Sequence, residues 1–132
     1  MKKIIKNSKM LVEEANSKTK TLKVTEAIKL LENKKYIFLD IRDYRELIKE
    51  GKIPGSISCP RGMLEFWIDP ESPYHKKKLD LSKYFILYCA SSWRSALAAK
   101  TLQDMGLEDV CHLEGGFNNW KKLKAPVEFI KN

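Results

Sequence analysis

The 132-residue chain predicts an α/β fold in which a central parallel sheet is flanked by helices on both faces. Short runs rich in β-branched and aromatic residues, Tyr36 to Ile41 and Tyr84 to Tyr88, are too brief for typical helices and read as buried strands. Stretches with apolar residues at helical spacing alternate with them, which is the pattern of strand, crossover helix and parallel strand. A hydrophobic content of 43% lets one domain of this length bury a core.

Ser8 to Ala15 predicts a helix appended to the domain, with Met10, Leu11 and Ala15 apolar, followed by a polar linker from Asn16 to Thr21. This divides the chain into residues 1–21 and a domain over residues 22–132. A second helix begins with Thr25 as its cap, carries Ala27, Ile28, Leu30 and Leu31 on one stripe and stops at Asn33. Beyond the Tyr36 strand, Asp43 to Lys49 predicts a helix. Ile53-Pro54-Gly55-Ser56-Ile57 predicts a turn and a short extended piece, because proline fixes one torsion and glycine permits the reversal. Pro70 and Pro73 among large aromatics make Pro60 to Lys78 an irregular covering excursion, with a short helix from Met63 to Ile68. Ser95 to Met105 predicts a helix ended by Gly106, and Val110 to Leu113 a last strand.

Composition bounds the function. No apolar run approaches the ~20 residues needed to cross a bilayer, and nothing near Met1 resembles a signal peptide, so the expectation is a cytoplasmic protein that does not use a membrane. Cys59, Cys89 and Cys111 are an odd count without a CxxC pair, which fits a reducing compartment. With only His75 and His112 beside them, no metal-ligand spacing emerges, and no cofactor is expected. The net charge of +8 is spread over Lys2 to Lys9, Lys76 to Lys78 and Lys121 to Lys124, which predicts a solvated basic surface and not a nucleic-acid site.

The chemistry concentrates in Tyr88-Cys89-Ala90-Ser91-Ser92-Trp93-Arg94-Ser95, between the clearest strand and a well-patterned helix. The carboxyl end of a parallel strand is where α/β proteins build sites. Backbone N–H groups of a tight loop and the positive end of the following helix converge there on an anion. A cysteine at that point is expected to have a depressed pKa and to act as a nucleophile, and Ser91, Ser92 and Ser95 add hydroxyl donors. The plainer reading is a small buried residue ending a strand.

These segments resemble the rhodanese-like family from about Leu22 to Trp120. Leu39-Asp40-Ile41-Arg42 with Glu46 is similar to its first-strand motif, Gly51-Lys52-Ile53-Pro54-Gly55-Ser56 to its turn motif, and Leu113-Glu114-Gly115-Gly116-Phe117 with Trp120 to its closing motif. Cys89 to Arg94 falls at the active-site loop. The resemblance implies a central parallel sheet and sulfur transfer through a persulfide on Cys89, cradled by Ala90, Ser91, Ser92, Trp93, Arg94 and Ser95. It implies a small anionic sulfur donor, a thiol or cyanide acceptor, and a protein donor or acceptor as a further partner. Lys52 departs from the family's histidine, and Trp93 is bulky where many relatives carry a small residue. Four residues separate Cys89 from Arg94, whereas the related phosphatases and arsenate reductases have one more and a wider cradle.

Neighbouring residues admit two readings each. Arg94 either contacts the sulfur anion or pairs outward with a carboxylate that braces the loop. Arg61 is either an anion-attracting wall beside Phe66 and Trp67 or an ordinary exposed arginine. Trp93 either gates the pocket or packs on Phe66 or Trp67. Asp40 and Arg42 are expected to be structural, as are His112, Cys59 and Cys111. The resulting expectation is a thiosulfate-type sulfurtransferase, with a persulfide-delivery module of little turnover as its rival and a phosphatase-like enzyme disfavoured by loop length.

Overall fold

The computed structural model describes residues 2–131. In chain order the elements are α1 (Ser8–Lys18), β1 (Lys20–Leu22), α2 (Val24–Ile28), β2 (Tyr36–Asp40), α3 (Tyr44–Glu50), β3 (Ile57–Ser58), α4 (Leu64–Ile68), β4 (Tyr84–Tyr88), α5 (Trp93–Asp104), β5 (Val110–Leu113) and α6 (Gly116–Lys122). The five strands form one sheet in the order β1-β5-β4-β2-β3, and every pairing is parallel. No helix among the described residues is long and apolar enough to cross a membrane.

Strand alternation sorts the core into two layers. On one face Leu39, Phe85, Leu87 and Val110 pack with Leu64 and Ile68 of α4 and Ala98, Ala99 and Leu102 of α5. On the other, Phe38, Ile86, Tyr88, Cys111 and Leu113 pack with Val24 and Ala27 of α2 and Phe117 and Trp120 of α6. Each fully buried Leu or Phe stabilises the fold by roughly 1.5–3 kcal/mol, so the central strands anchor whatever follows their carboxyl ends. The parallel sheet covered on both faces is the architecture the sequence predicts.

Three local expectations are corrected. The Asn16 to Thr21 segment is not a linker: α1 runs on to Lys18, and Lys20 and Thr21 pair with Cys111 and His112 as the edge of the sheet. The polar residues that suggested a linker belong to the exposed last turn of α1 and to an exposed edge strand. Thr25 is not the cap of α2, because Lys23 takes that place and the helix gives way after Ile28 to tight turns such as Leu30 N–H to Ala27 C=O, 2.9 Å. Finally, α5 starts two residues before Ser95, so Trp93 and Arg94 belong to its first turn.

Other elements follow their local chemistry closely. Asp43 caps α3 in a reciprocal box with Glu46, each side chain accepting from the other residue's end of the turn. α1 is capped by Asn7, whose side chain accepts from Met10 N–H. Its Val12 and Ala15 pack on Ala96, so α1 lies against α5.

Candidate active site

Cys89 follows the last residue of β4 and is fully buried. Ser92, at φ 98°, is a left-handed non-glycine residue that turns the chain from strand into α5 within three residues. Such a conformation costs of order 1–3 kcal/mol and persists only where the surroundings enforce it. It brings the Ser92 N–H to 3.2 Å from Cys89 Sγ. The Ser92 side chain does not cap α5 and no acidic residue lies in its first turn, so the positive end of a 12-residue helix faces the loop without a protein anion on it.

The loop is held from behind. Phe117 N–H donates to the Cys89 carbonyl at 2.8 Å and Asn118 N–H to the Ala90 carbonyl at 3.0 Å, which fixes the loop to the start of α6. From below, the Tyr88 ring is held by its hydroxyl, which accepts from Ile53 N–H at 3.1 Å and meets Ser56 Oγ at 3.0 Å. Burial raises the Tyr88 pKa, so the phenol stays neutral. The first-strand and turn segments meet at Arg42, which is buried, donates twice to Asp40 at 2.9 and 2.7 Å and once to the Gly51 carbonyl at 2.8 Å, and lies over the Phe117 ring at 4.4 Å. Asp40 and Arg42 thus tie three segments together as expected of structural residues. Lys52, in the turn, braces it by donating to the Ser56 carbonyl at 2.9 Å.

Ala90, Ser91, Ser92, Trp93, Arg94 and Ser95 follow Cys89 through the turn into α5, whereas the guanidinium of Arg61 is engaged elsewhere. Arg61 donates to Glu65 at 2.8 Å and to Thr101 at 3.2 Å, well along α5. Arg94 turns outward to Glu46 of α3 in a two-pronged pair at 2.8 and 3.0 Å. That hydrogen bond raises the Arg94 pKa and lowers that of Glu46. Trp93 is half exposed and stands in none of the aromatic pairs among the described residues, while Phe66 meets Tyr74 edge-on and Lys76 covers Trp67. A cleft of about 450 Å³, lined by Lys20, Lys23, Tyr36 and Tyr84, opens at the opposite ends of the strands from Cys89.

The other cysteines sit in different chemistry. Burial pushes the Cys59 thiol up to about 12 and the Cys111 thiol up to about 11. Sequence reasoning named Ser95 and read His112 as structural, but passed over their connection to each other and to Asn16 and Thr21. Ser95 Oγ lies 3.7 Å from Cys89 Sγ and 3.1 Å from His112 Nδ1, and His112 Nε2 lies 2.9 Å from Asn16 Oδ1 and 3.3 Å from Thr21 Oγ1. A second acceptor for the Ser95 hydroxyl, the Ser92 carbonyl, stands at 3.1 Å. Burial pushes His112 down to about 4. The signal for His112 lay in strand alternation, since its partner Leu87 points to the same face as Cys89 two residues on. For Asn16 the sequence held no such signal.

A family model described as the rhodanese-like domain matches residues 23–123. Among curated proteins, the chain is 28% identical over 104 residues to thiosulfate sulfurtransferase/rhodanese-like domain-containing protein 3 of Mus musculus, covering 75% of this chain and 66% of that protein. It is 28% identical over 109 residues to thiosulfate sulfurtransferase GlpE of Shewanella oneidensis, covering 83% of this chain and 99% of that protein. Two uncharacterized relatives, from Synechocystis and Bacillus subtilis, are spanned over 49% and 63% of their lengths. Among solved structures, a Rhodopseudomonas palustris protein of unknown function, described as a possible tyrosine phosphatase, superposes with a TM-score of 0.92 at 51% identity, over 97% of this chain and 98% of that one. A thiosulfate sulfurtransferase from Pseudomonas aeruginosa superposes with a TM-score of 0.77 at 25% identity, over 95% of this chain and 23% of that one.

Proposed function

Because this chain belongs to the rhodanese-like domain family, we propose that it is a sulfurtransferase that carries sulfane sulfur on Cys89. The observation that carries this reading is the Ser92 N–H at 3.2 Å from Cys89 Sγ, at the foot of the uncapped first turn of α5. This arrangement stabilises negative charge on sulfur, whether on a thiolate or on the outer atom of a persulfide. In the first half-reaction the Cys89 thiolate attacks the outer sulfur of thiosulfate. A Cys89–sulfur bond forms, the sulfur–sulfur bond of the donor breaks, and sulfite leaves with the electron pair. In the second, a thiolate or cyanide attacks the outer persulfide sulfur and returns Cys89 as thiolate. Neither half requires a cofactor.

Ala90, Ser91, Trp93 and Ser95 supply the remaining loop N–H groups, with Arg94 bracing the loop through Glu46 and adding positive charge at its rim. Arg61, bonded to Glu65 and Thr101, supports the covering segment. The protein works in the cytoplasm on a small anionic donor, and its basic surface also suits delivery to or from a protein partner. Intact-mass measurement after incubation with thiosulfate tests the reading: one added sulfur on the wild-type chain and none on Cys89→Ser is the expected result. The description of the Rhodopseudomonas palustris relative makes phosphate ester hydrolysis the second reading. The six-residue loop from Cys89 to Arg94, with Arg94 committed to Glu46, leaves few donors for a tetrahedral phosphoryl group. Cys89-dependent turnover of an aryl phosphate, without sulfur loading, would replace the first reading by the second.

A further inference from the structure

Cys89 is fully buried, so the polar side chains packed on its sulfur are the nearest acceptors for its thiol proton. A continuous row of such groups leads away from it. Ser95 Oγ stands at 3.7 Å from the sulfur, His112 Nδ1 at 3.1 Å from that hydroxyl, and Asn16 Oδ1 and Thr21 Oγ1 at 2.9 and 3.3 Å from His112 Nε2. Ser95 and His112 are buried, whereas Asn16 and Thr21 are exposed. The row therefore starts at a buried sulfur and ends at side chains on the surface.

We propose that Ser95 and His112 form a proton wire that carries the Cys89 proton to solvent at Asn16 and Thr21, with His112 exchanging one neutral tautomer for the other. The proposal rests on Cys89 being the sulfur nucleophile and adds how that nucleophile is deprotonated. In the thiol state Cys89 S–H donates to Ser95 Oγ, the Ser95 hydroxyl donates to His112 Nδ1, and His112 Nε2–H donates to Asn16 Oδ1. On ionisation the S–H bond breaks and its proton bonds to Ser95 Oγ. The former Ser95 proton bonds to Nδ1, and the Nε2 proton passes to water beside Asn16 and Thr21. One proton leaves, one negative charge remains on sulfur, and nothing is oxidised or reduced.

The thiolate state is matched as well as the thiol state. Ser95 then donates to the sulfur anion, Nδ1–H donates to Ser95, and Nε2 accepts from the Thr21 hydroxyl or from the Asn16 amide after it turns over. A hydroxyl and a neutral imidazole can each reverse polarity in this way, which a charged side chain cannot. Burial disfavours the imidazolium at this position, and that supports exchange of tautomers over storage of the proton. The groups facing His112 are Asn16 from α1, Thr21 from β1 and Ser95 from α5, all uncharged. The charged groups near Cys89 are Arg94 of α5 and its partner Glu46 of α3. Asn16 and Thr21 precede the residues matched by the family model, so α1 and β1 complete a device that the matched segment does not hold alone.

Nitrogen-15 NMR of the side chains tests the wire in the full chain without any sulfur donor. His75 and His112 are the only histidines, so the ring nitrogens are readily assigned with a His75→Gln variant. As pH is raised and Cys89 ionises, followed by thiolate absorbance, His112 is expected to change from mainly Nε2–H to mainly Nδ1–H. In Cys89→Ala and in Ser95→Ala this exchange is expected to be lost over the same range. A wild-type His112 that keeps one tautomer through the ionisation of Cys89, or that becomes imidazolium, would overturn the proposal. So would an exchange that survives in Ser95→Ala. Because no donor is present, a chain that shows the exchange but takes up no sulfur from thiosulfate would sink the sulfurtransferase reading while leaving the wire in place.

Discussion

Gly116 presses on the Ala90 carbonyl so closely that a Cβ at position 116 would stand 2.6 Å from that oxygen and 2.6 Å from the Cys89 carbonyl oxygen. At φ 62° the residue is also left-handed, so the close approach and the backbone conformation both require glycine. The same two carbonyls accept the N–H groups of Phe117 and Asn118. Gly116 of the closing motif therefore supports the cysteine loop from behind.

Gly116→Ala should accordingly displace the loop, costing roughly 3 kcal/mol from strain and overpacking together, with most sulfur loading lost. Gly55→Ala is the informative comparison, because Gly55 has φ 76° but nothing within 4 Å of the added Cβ. It should cost only about 1 kcal/mol and keep its loading. Urea denaturation and intact mass read the two effects. Equal loading in both variants would mean that the contact at Gly116 does not position the loop.

Cys59→Ser and Cys111→Ser should load sulfur as the wild type does. Burial pushes both thiols far above neutrality, to about 12 and about 11, so neither offers an appreciable thiolate at pH 7. Peptide mapping after thiosulfate treatment checks this. Sulfur found on Cys59 in a Cys89→Ser background would show that burial there is relieved often enough for reaction.

The fold was legible where one local rule governed each segment. The apolar runs of β2 and β4, the Asp43 start of α3 and the pattern of β5 needed no tertiary information. What failed or stayed open were decisions made by partners distant in sequence. Lys20 to Leu22 is a strand because β5 offers it an edge, and no alternation in three polar-leaning residues announces that. The direction of Arg94 depended on Glu46, 48 residues away, and the sequence left its rotamer open. Arg61 was drawn to the site by its place after Pro60, but Glu65 one helical turn on and Thr101 compete for its guanidinium. Cys89 itself was readable because strand, tight loop and helix are consecutive in the chain.

Trp93 projects from the first turn of α5 with half its surface in water, and Phe66 and Trp67 have other neighbours. Trp93→Ala should therefore change stability by no more than about 0.5 kcal/mol, the usual range for surface substitutions. If the indole limits access to the loop, the rate with bulky thiol acceptors relative to cyanide should rise several-fold. Thermal melting and paired acceptor kinetics separate these effects. A large loss of stability with unchanged acceptor preference would assign the ring to packing.

His112 makes folding stability depend on pH in a direction fixed by its burial. The unfolded imidazole takes a proton near its ordinary value of 6.5, while the folded one resists until about 4. Between these values the unfolded state binds the extra proton, so stability is full above pH 6.5 and falls as pH drops toward 4. At one unit per 1.36 kcal/mol, roughly 2 kcal/mol should be lost between pH 7 and pH 5. The carboxylates with lowered pKa, such as Glu46, begin from an ordinary value of 4.5 and so contribute mainly at lower pH. Urea denaturation at pH 7 and pH 5 measures the difference, and His112→Gln should remove most of it although its stability at pH 7 is lower. An equal fall in the variant and the wild type would show that the imidazole charges without resistance in the folded chain, and that water reaches it past Asn16.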